Sequence, residues 1–295
     1  MRIVLMINDN PYNNNFVKQL CLNYTPCIKG IVISTKIIPG KRRSYFASIL
    51  YVLKNCGFQL FILRAIEMSI YKAKHYLKCL GLYPDYFDVK YFCHINKIPI
   101  FKSDDINSLE FVEKFKKMHP EIVFSRINQI IKKDLLAIPT IGMINSHNSL
   151  LPKYKGVDTI FWGMVNKDDE FGITFHFINE TLDGGNIIKQ IKCSGFNGKS
   201  LHFRESVLNE ISSFYLVELL KSFEKSEVTQ CPMSTKDKSY YSLATKAGYK
   251  TFKKNGYRLI TIPELGELVF DDGKGSKLNA VGFSKVQIID GPKSH

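Results

Sequence analysis

Ile3-Val4-Leu5-Met6-Ile7-Asn8-Asp9-Asn10, and further on Gly30-Ile31-Val32-Ile33-Ser34, is the pair of stretches that decides the fold. Each apolar run is short, continuous and closed by polar residues, the form of a strand buried on both faces. Between them a polar loop, Asn8 to Asn15, leads into Phe16 to Tyr24, where the apolar residues recur at helical spacing. Strand, helix and strand this close together make a right-handed parallel crossover. The start of the chain predicts an α/β fold.

The alternation resumes downstream. Strands are predicted at Ile98-Pro99-Ile100, Ile122 to Ser125, Gly142 to Asn145, Gly172 to Ile178 and Ile187 to Ile191, with helices over Ser108 to Met118, Ile131 to Ala137 and Leu201 to Lys221. This order predicts a Rossmann-like, doubly wound and mostly parallel sheet. Residues 41–95 interrupt it with helical sequence rich in aromatics and cations. That insertion reads either as helices packed on the core or on a second subunit, or as a basic amphipathic surface that touches a membrane. The polar stretch Ser222 to Cys231 separates a main domain, 1–230, from a small C-terminal α+β region, 231–295. In that region a lysine-rich helix follows Ser239-Tyr240-Tyr241-Ser242, and Arg258 to Ile262 and Gly266 to Phe270 read as short strands.

Composition bounds the function without choosing it. The 295 residues are 45% hydrophobic and 23% charged, ordinary for a folded chain, with a net charge of +14. The charge favours anionic partners such as nucleotides, sugar phosphates, nucleic acid or an acidic membrane surface. The seven cysteines show neither a CxxC pair nor zinc spacing, which predicts a reduced, cytoplasmic protein and assigns no metal. The apolar region from Tyr45 to Ile70 is broken by Lys54, Arg64 and Glu67 before the span of about 20 residues that a membrane-crossing helix needs. Neither Gly184-Gly185 nor Gly273-Lys274-Gly275 has the spacing of a phosphate loop.

The chemistry is carried by Asn145-Ser146-His147-Asn148-Ser149-Leu150-Leu151-Pro152, at the C-terminal end of a predicted strand, the edge where ligands bind in open α/β sheets. Asn145 and His147 are two positions apart and share one face of the strand. A later loop, Leu182-Asp183-Gly184-Gly185, can bring a carboxylate to the same pocket. An amide that holds a carbonyl, an imidazole that donates to an oxyanion or moves a proton, and a carboxylate that fixes the imidazole together suit acyl transfer to an amine. His75, His94, His119, His176 and His202 form no ligand-like arrangement and receive no role.

These motifs, with Gly156, Trp162 and Gly172-Ile173-Thr174 in order along the chain, resemble the folate-dependent formyltransferase family. The resemblance implies 10-formyltetrahydrofolate as donor, an amine as acceptor, and Asn145, His147 and Asp183 as the catalytic residues. It places Gln129 and Ile131 at the wall that faces the pterin, and Leu182 and Gly184 where the backbone approaches that flat ring. Within the family, the insertion and the Ser239 to Ser242 segment look most like enzymes that formylate amino sugars carried on dTDP or UDP, for O-antigen or other surface polysaccharide. Acceptor contacts are then expected from Asn10, Lys153, Tyr154, Trp162 and Tyr240, with a nucleotide sugar as partner, no nucleic acid, no integral membrane segment, and a homodimer compatible with the insertion. The alternatives are a methionyl-tRNA formyltransferase-like enzyme, for which the tail after Cys231 is short, and a non-catalytic nucleotide- or membrane-binding module on the same fold.

Overall fold

The structure, a computed structural model, describes residues 1–36, 45–270 and 286–290. Lys41-Arg42-Arg43 and Gly273-Lys274-Gly275 lie outside them. The strands are β1 (Ile3–Asn8), β2 (Ile28–Ser34), β3 (Ile100–Ser103), β4 (Ile122–Arg126), β5 (Gly142–His147), β6 (Lys155–Gly156), β7 (Phe171–Phe177), β8 (Ile187–Cys193), β9 (Tyr240–Tyr241) and β10 (Val286–Asp290). The helices are α1 (Pro11–Tyr24), α2 (Tyr45–Cys56), α3 (Phe58–Cys79), α4 (Val89–Ile95), α5 (Leu109–Lys116), α6 (Lys133–Leu136), α7 (Thr159–Val165), α8 (Leu201–Glu224), α9 (Lys246–Lys254) and α10 (Ile262–Phe270).

Eight strands form one sheet in the order β10-β8-β7-β5-β4-β1-β2-β3. β3, β2, β1, β4 and β5 run parallel, and β7, β8 and β10 continue the sheet with antiparallel pairings. β1 shows why both faces must be covered. Its Ile3, Leu5 and Ile7 enter one core with Phe16 and Leu20 of α1 and Val207 and Leu208 of α8, while Val4 and Met6 enter a second core with Phe111 and Phe115 of α5. That is the doubly wound arrangement expected from the alternating sequence.

Several local readings change. The expected loop Asn8 to Asn15 is largely helix, because Pro11 suits the first turn and Asn10 caps it, its Oδ1 accepting from the Asn13 amide at 2.8 Å. The helix expected over Ile131 to Ala137 is confined to α6. Gly266 to Phe270 is helix, not strand. Thr261 and Glu264 form a capping box in which the Thr261 amide donates to Glu264 Oε2 at 2.7 Å and the Glu264 amide to Thr261 Oγ1 at 3.4 Å. Pro263 in the first turn completes that start signal, and Arg258 to Thr261 form no strand.

From residue 231 on, the described chain packs on the main unit. Ala244 and Phe252 are wholly buried in the first core, and β10 pairs with β8 at the sheet edge. The insertion is tied down by charge. Arg64 of α3 donates to Glu205 Oε1 of α8 at 2.6 Å, to Glu67 Oε2 at 2.9 Å and to the Tyr12 hydroxyl at 2.8 Å. That hydroxyl donates to Glu67 Oε1 at 2.6 Å, and His202 Nδ1 donates to the same oxygen at 2.8 Å. Burial pushes the Glu67 carboxyl up, but Arg64, His202 and Tyr12 together outweigh it and hold it near 2.

Candidate active site

β5 delivers Asn145 and His147 to the C-terminal edge of the parallel strands. β7 lies antiparallel beside it, with Asn145 opposite His176 and His147 opposite Thr174. Cross-strand partners in an antiparallel pair share a face, so the sequence from Phe175 to Phe177 brings a second imidazole to the site. The loop after β7 then returns Asp183, whose φ of 44° turns the chain back toward β5.

His176 organises the amide. Its Nδ1 lies 2.8 Å from the Phe177 carbonyl and can only donate there, so Nε2 is the acceptor and the Asn145 group 3.2 Å away is Nδ2. The second hydrogen on Nδ2 remains for a ligand oxygen. Burial pushes His176 down to about 4 against the pull of Asp183, and the ring is therefore neutral at pH 7. The folded value lies below the ordinary value of about 6.5, so the unfolded chain binds the extra proton between those two pH values. Stability that is fully present above pH 6.5 is lost as pH falls toward 4, by up to roughly 3 kcal/mol from this group. Denaturant titrations at pH 7 and pH 5 should show a larger loss for the native chain than for His176→Gln.

His147 is held differently from expectation. Its Nε2 donates to the Tyr154 carbonyl at 2.8 Å, while Nδ1 faces Asp183 Oδ1 at 3.8 Å, beyond direct hydrogen bonding. Asp183 Oδ1 also lies 3.9 Å from His176 Nε2, and its Oδ2 accepts from the Gly156 amide at 2.8 Å. The carboxylate thus stands between two imidazoles, outside direct hydrogen-bonding distance of either. Lys155 is close by and 7% exposed. Burial and Lys238 lower its ammonium below the usual lysine range, Asp183 opposing.

The loop after β5 is fixed by Thr174, which donates to the Ser149 carbonyl at 2.7 Å and accepts from the Leu151 amide at 3.0 Å. Gln190 of β8 donates to the Leu151 carbonyl at 2.8 Å. In the opposite loop Gly185 has no substitute, since a Cβ there would sit 1.9 Å from the Phe177 carbonyl oxygen. Gly185→Ala should destabilise the protein by about 1–3 kcal/mol in chemical denaturation. Gly266→Ala, in helix α10 with open space around it, should instead stabilise by roughly 0.5–1 kcal/mol.

One cleft joins these groups. It is lined by Asn145, His176 and Asp183, by Ile127, Ile131, Ile178 and Leu182, by Gln129 and Ser125 beside β4, and by the polar run Asn179 to Thr181. Gln129 is braced by Ser34, donating to its Oγ at 2.8 Å. Ser125 Oγ is buried without a hydrogen-bond partner. The cleft therefore gathers Gln129, Ile131 and Leu182 with Asn145 and Asp183, while His147 and Gly184 stand behind its lining.

The residues expected at the acceptor are not in this cleft. Asn10 caps α1, Lys153 is exposed, and Tyr240 is 61% exposed on β9. Tyr154 and Trp162 stack on either side of Tyr241, at 5.2 and 5.0 Å between ring centroids, and the Trp162 indole donates to the Ser242 carbonyl at 2.8 Å. This stack fastens the segment after residue 231 to the chain that follows β5. Sequence reasoning assigned no role to His176 or Lys155. The signal for His176 was the alternation of β7, readable only with the register against β5.

Comparison with known proteins fits this geometry. The chain is 31% identical over 165 residues to the bifunctional polymyxin resistance protein ArnA of Wigglesworthia glossinidia brevipalpis, covering 55% of this chain and 24% of that protein. It is 31% identical over 174 residues to methionyl-tRNA formyltransferase of Clostridioides difficile, covering 58% and 54%. It thus spans from about a quarter to just over half of these relatives' length. Its fold resembles that of the N-formyltransferase of Helicobacter canadensis, solved with folinic acid and dTDP-3-aminofucose, with a TM-score of 0.52 and 17% identity over 82% of this chain and 71% of that one. Residues 70–214, the segment that holds Asn145, His147, His176 and Asp183, match the formyl transferase family.

Proposed function

We propose that this chain transfers a formyl group from 10-formyltetrahydrofolate to the amine of a dTDP- or UDP-linked amino sugar, in the cytoplasm, for surface polysaccharide. The observation that carries the reading is the Asn145, His176 and Asp183 cluster in a cleft shared with isoleucine and leucine side chains. The cleft suits a flat heteroaromatic ring. Its isoleucine and leucine walls can cover the faces, and the unpartnered Ser125 Oγ offers a hydrogen bond to a ring edge. When bound, the donor supplies an N-formyl group activated for transfer.

Asn145 Nδ2 holds the formyl oxygen and receives its growing negative charge as the amine attacks the carbon. A bond forms between the amine nitrogen and the formyl carbon, and the bond from that carbon to the folate nitrogen breaks. The proton that the amine loses passes to Asp183, directly or through water. His147, its Nδ1 turned to the carboxylate, steadies Asp183 from behind, and Asp183 returns the proton to the departing nitrogen, so protons balance without a net change in the enzyme.

The acceptor class draws support from the fold likeness to an enzyme solved with dTDP-3-aminofucose. A second reading, formylation of aminoacylated tRNA, draws on the sequence relatives and the charge of +14. Incubating donor and protein with a panel of dTDP- and UDP-amino sugars, and separately with methionyl-tRNA, decides between them. A formyl mass gain on a sugar nucleotide supports the proposal, and gain on the tRNA alone replaces it.

A further inference from the structure

Helix α3 runs for 22 residues, about 33 Å, along the outside of the molecule. One face of it is apolar and open to solvent. Phe58 is 63% exposed, Ile62 and Ile66 are 37% exposed, Tyr76 67%, and Leu80, at the C-cap, 72%. Between the large residues of that face stand Ser69 and Ala73, also exposed. From Ile62 onward the spacing is four, three, four, three, four, the repeat of a coiled-coil seam. The seam carries no charge. The only carboxylate on α3, Glu67, is turned inward and 2% exposed.

We infer that this face pairs with the same face of a second copy, α3 against α3 and antiparallel, about a two-fold axis between Ser69 and Ala73. The register follows from grouping like sizes. With the axis there, Ser69 lies opposite the second copy's Ala73, Ile66 opposite its Tyr76 and Ile62 opposite its Leu80, so small residues let the helices approach at the centre while large ones fill both ends. Each layer then sets one position of the repeat against the other, as antiparallel pairs require, and the interface is isologous and closed. A membrane fits less well. Surface-seated helices carry cations along both borders of the apolar face, whereas Lys72 alone borders this seam. In the pair the two Lys72 side chains flank the axis and repel, so the dimer tightens as salt rises.

Sedimentation of the full chain tests this. The native protein should be a dimer that strengthens with salt, and Ile66→Glu should weaken it by roughly a hundredfold or more while leaving the circular dichroism unchanged. If that variant does not fold, cross-linking answers the same question. In a Cys79→Ser background, Ser69→Cys with Ala73→Cys should oxidise to a covalent dimer, and the pair Ile62→Cys with Ala73→Cys, out of register, should not. A monomer at all concentrations, a dimer indifferent to Ile66→Glu, or binding to anionic vesicles that depends on Ile66 and weakens with salt would overturn the inference.

Discussion

Asn145→Ala lowers turnover by about a hundredfold or more, with little change in the melting curve or in KM. The amide is the donor aimed at the oxygen that becomes charged, and losing one such donor is worth about that factor. It stands at the end of β5, half-buried, and its recorded side-chain bond is to His176, so truncation removes little packing. Asn145→Asp should be worse still. A carboxylate in that place would lie against His176 Nε2, which accepts, and would stand near Asp183, adding like charge where the formyl oxygen must become negative. Comparing kcat and KM of the two variants separates the loss of transition-state contact from loss of donor binding.

Arg64→Met destabilises the fold by about 3 kcal/mol, the largest effect expected from one side chain remote from the cleft. Methionine keeps the length of the stem but leaves Glu67 and Glu205 together, both buried, with the guanidinium that held them gone. Burial already raises Glu205 above the usual carboxylate range. Without Arg64, Glu67 should rise from near 2 and take up a proton, so the variant should regain stability as pH falls, opposite to the native chain. Denaturant melts between pH 3 and pH 8 measure both the loss and the reversal. A double variant, Arg64→Met with Glu205→Gln, should recover part of the loss because one buried charge is gone.

Much of the fold was legible because it rests on contiguous apolar runs. Ile3 to Ile7 and Gly30 to Ser34 read as fully buried strands and are β1 and β2, and the helices read from Leu201 and Ser108 are α8 and α5. The misreadings came from end signals competing with composition. Gly266 to Phe270 has the apolar density of a strand, but the capping box at Thr261 and Glu264 and the proline between them outweigh it. Asn8 to Asn15 reads as turn by its asparagines, though Asn10 and Asn13 serve to cap and pin α1.

The site was legible where residues sit close in sequence and hidden where strand pairing assembles it. Asn145 and His147 share a strand, and the glycines after Asp183 announce its loop. His176 enters through the β5–β7 register alone, and Tyr154 contributes a backbone carbonyl that no side-chain pattern can reveal. The aromatic residues expected to meet an acceptor are held by a contact the sequence does not show. Trp162 and Tyr154 stack on Tyr241, across distant parts of the chain.

The most direct test is tetrahydrofolate release, followed after mixing 10-formyltetrahydrofolate with the native chain or Asn145→Ala and the amine panel. Release that needs both the native chain and an amine, and that falls about a hundredfold in the variant, is the predicted result. Release at the same rate from both proteins, or none with any sugar nucleotide or aminoacylated tRNA, would contradict the assignment of this cleft to formyl transfer.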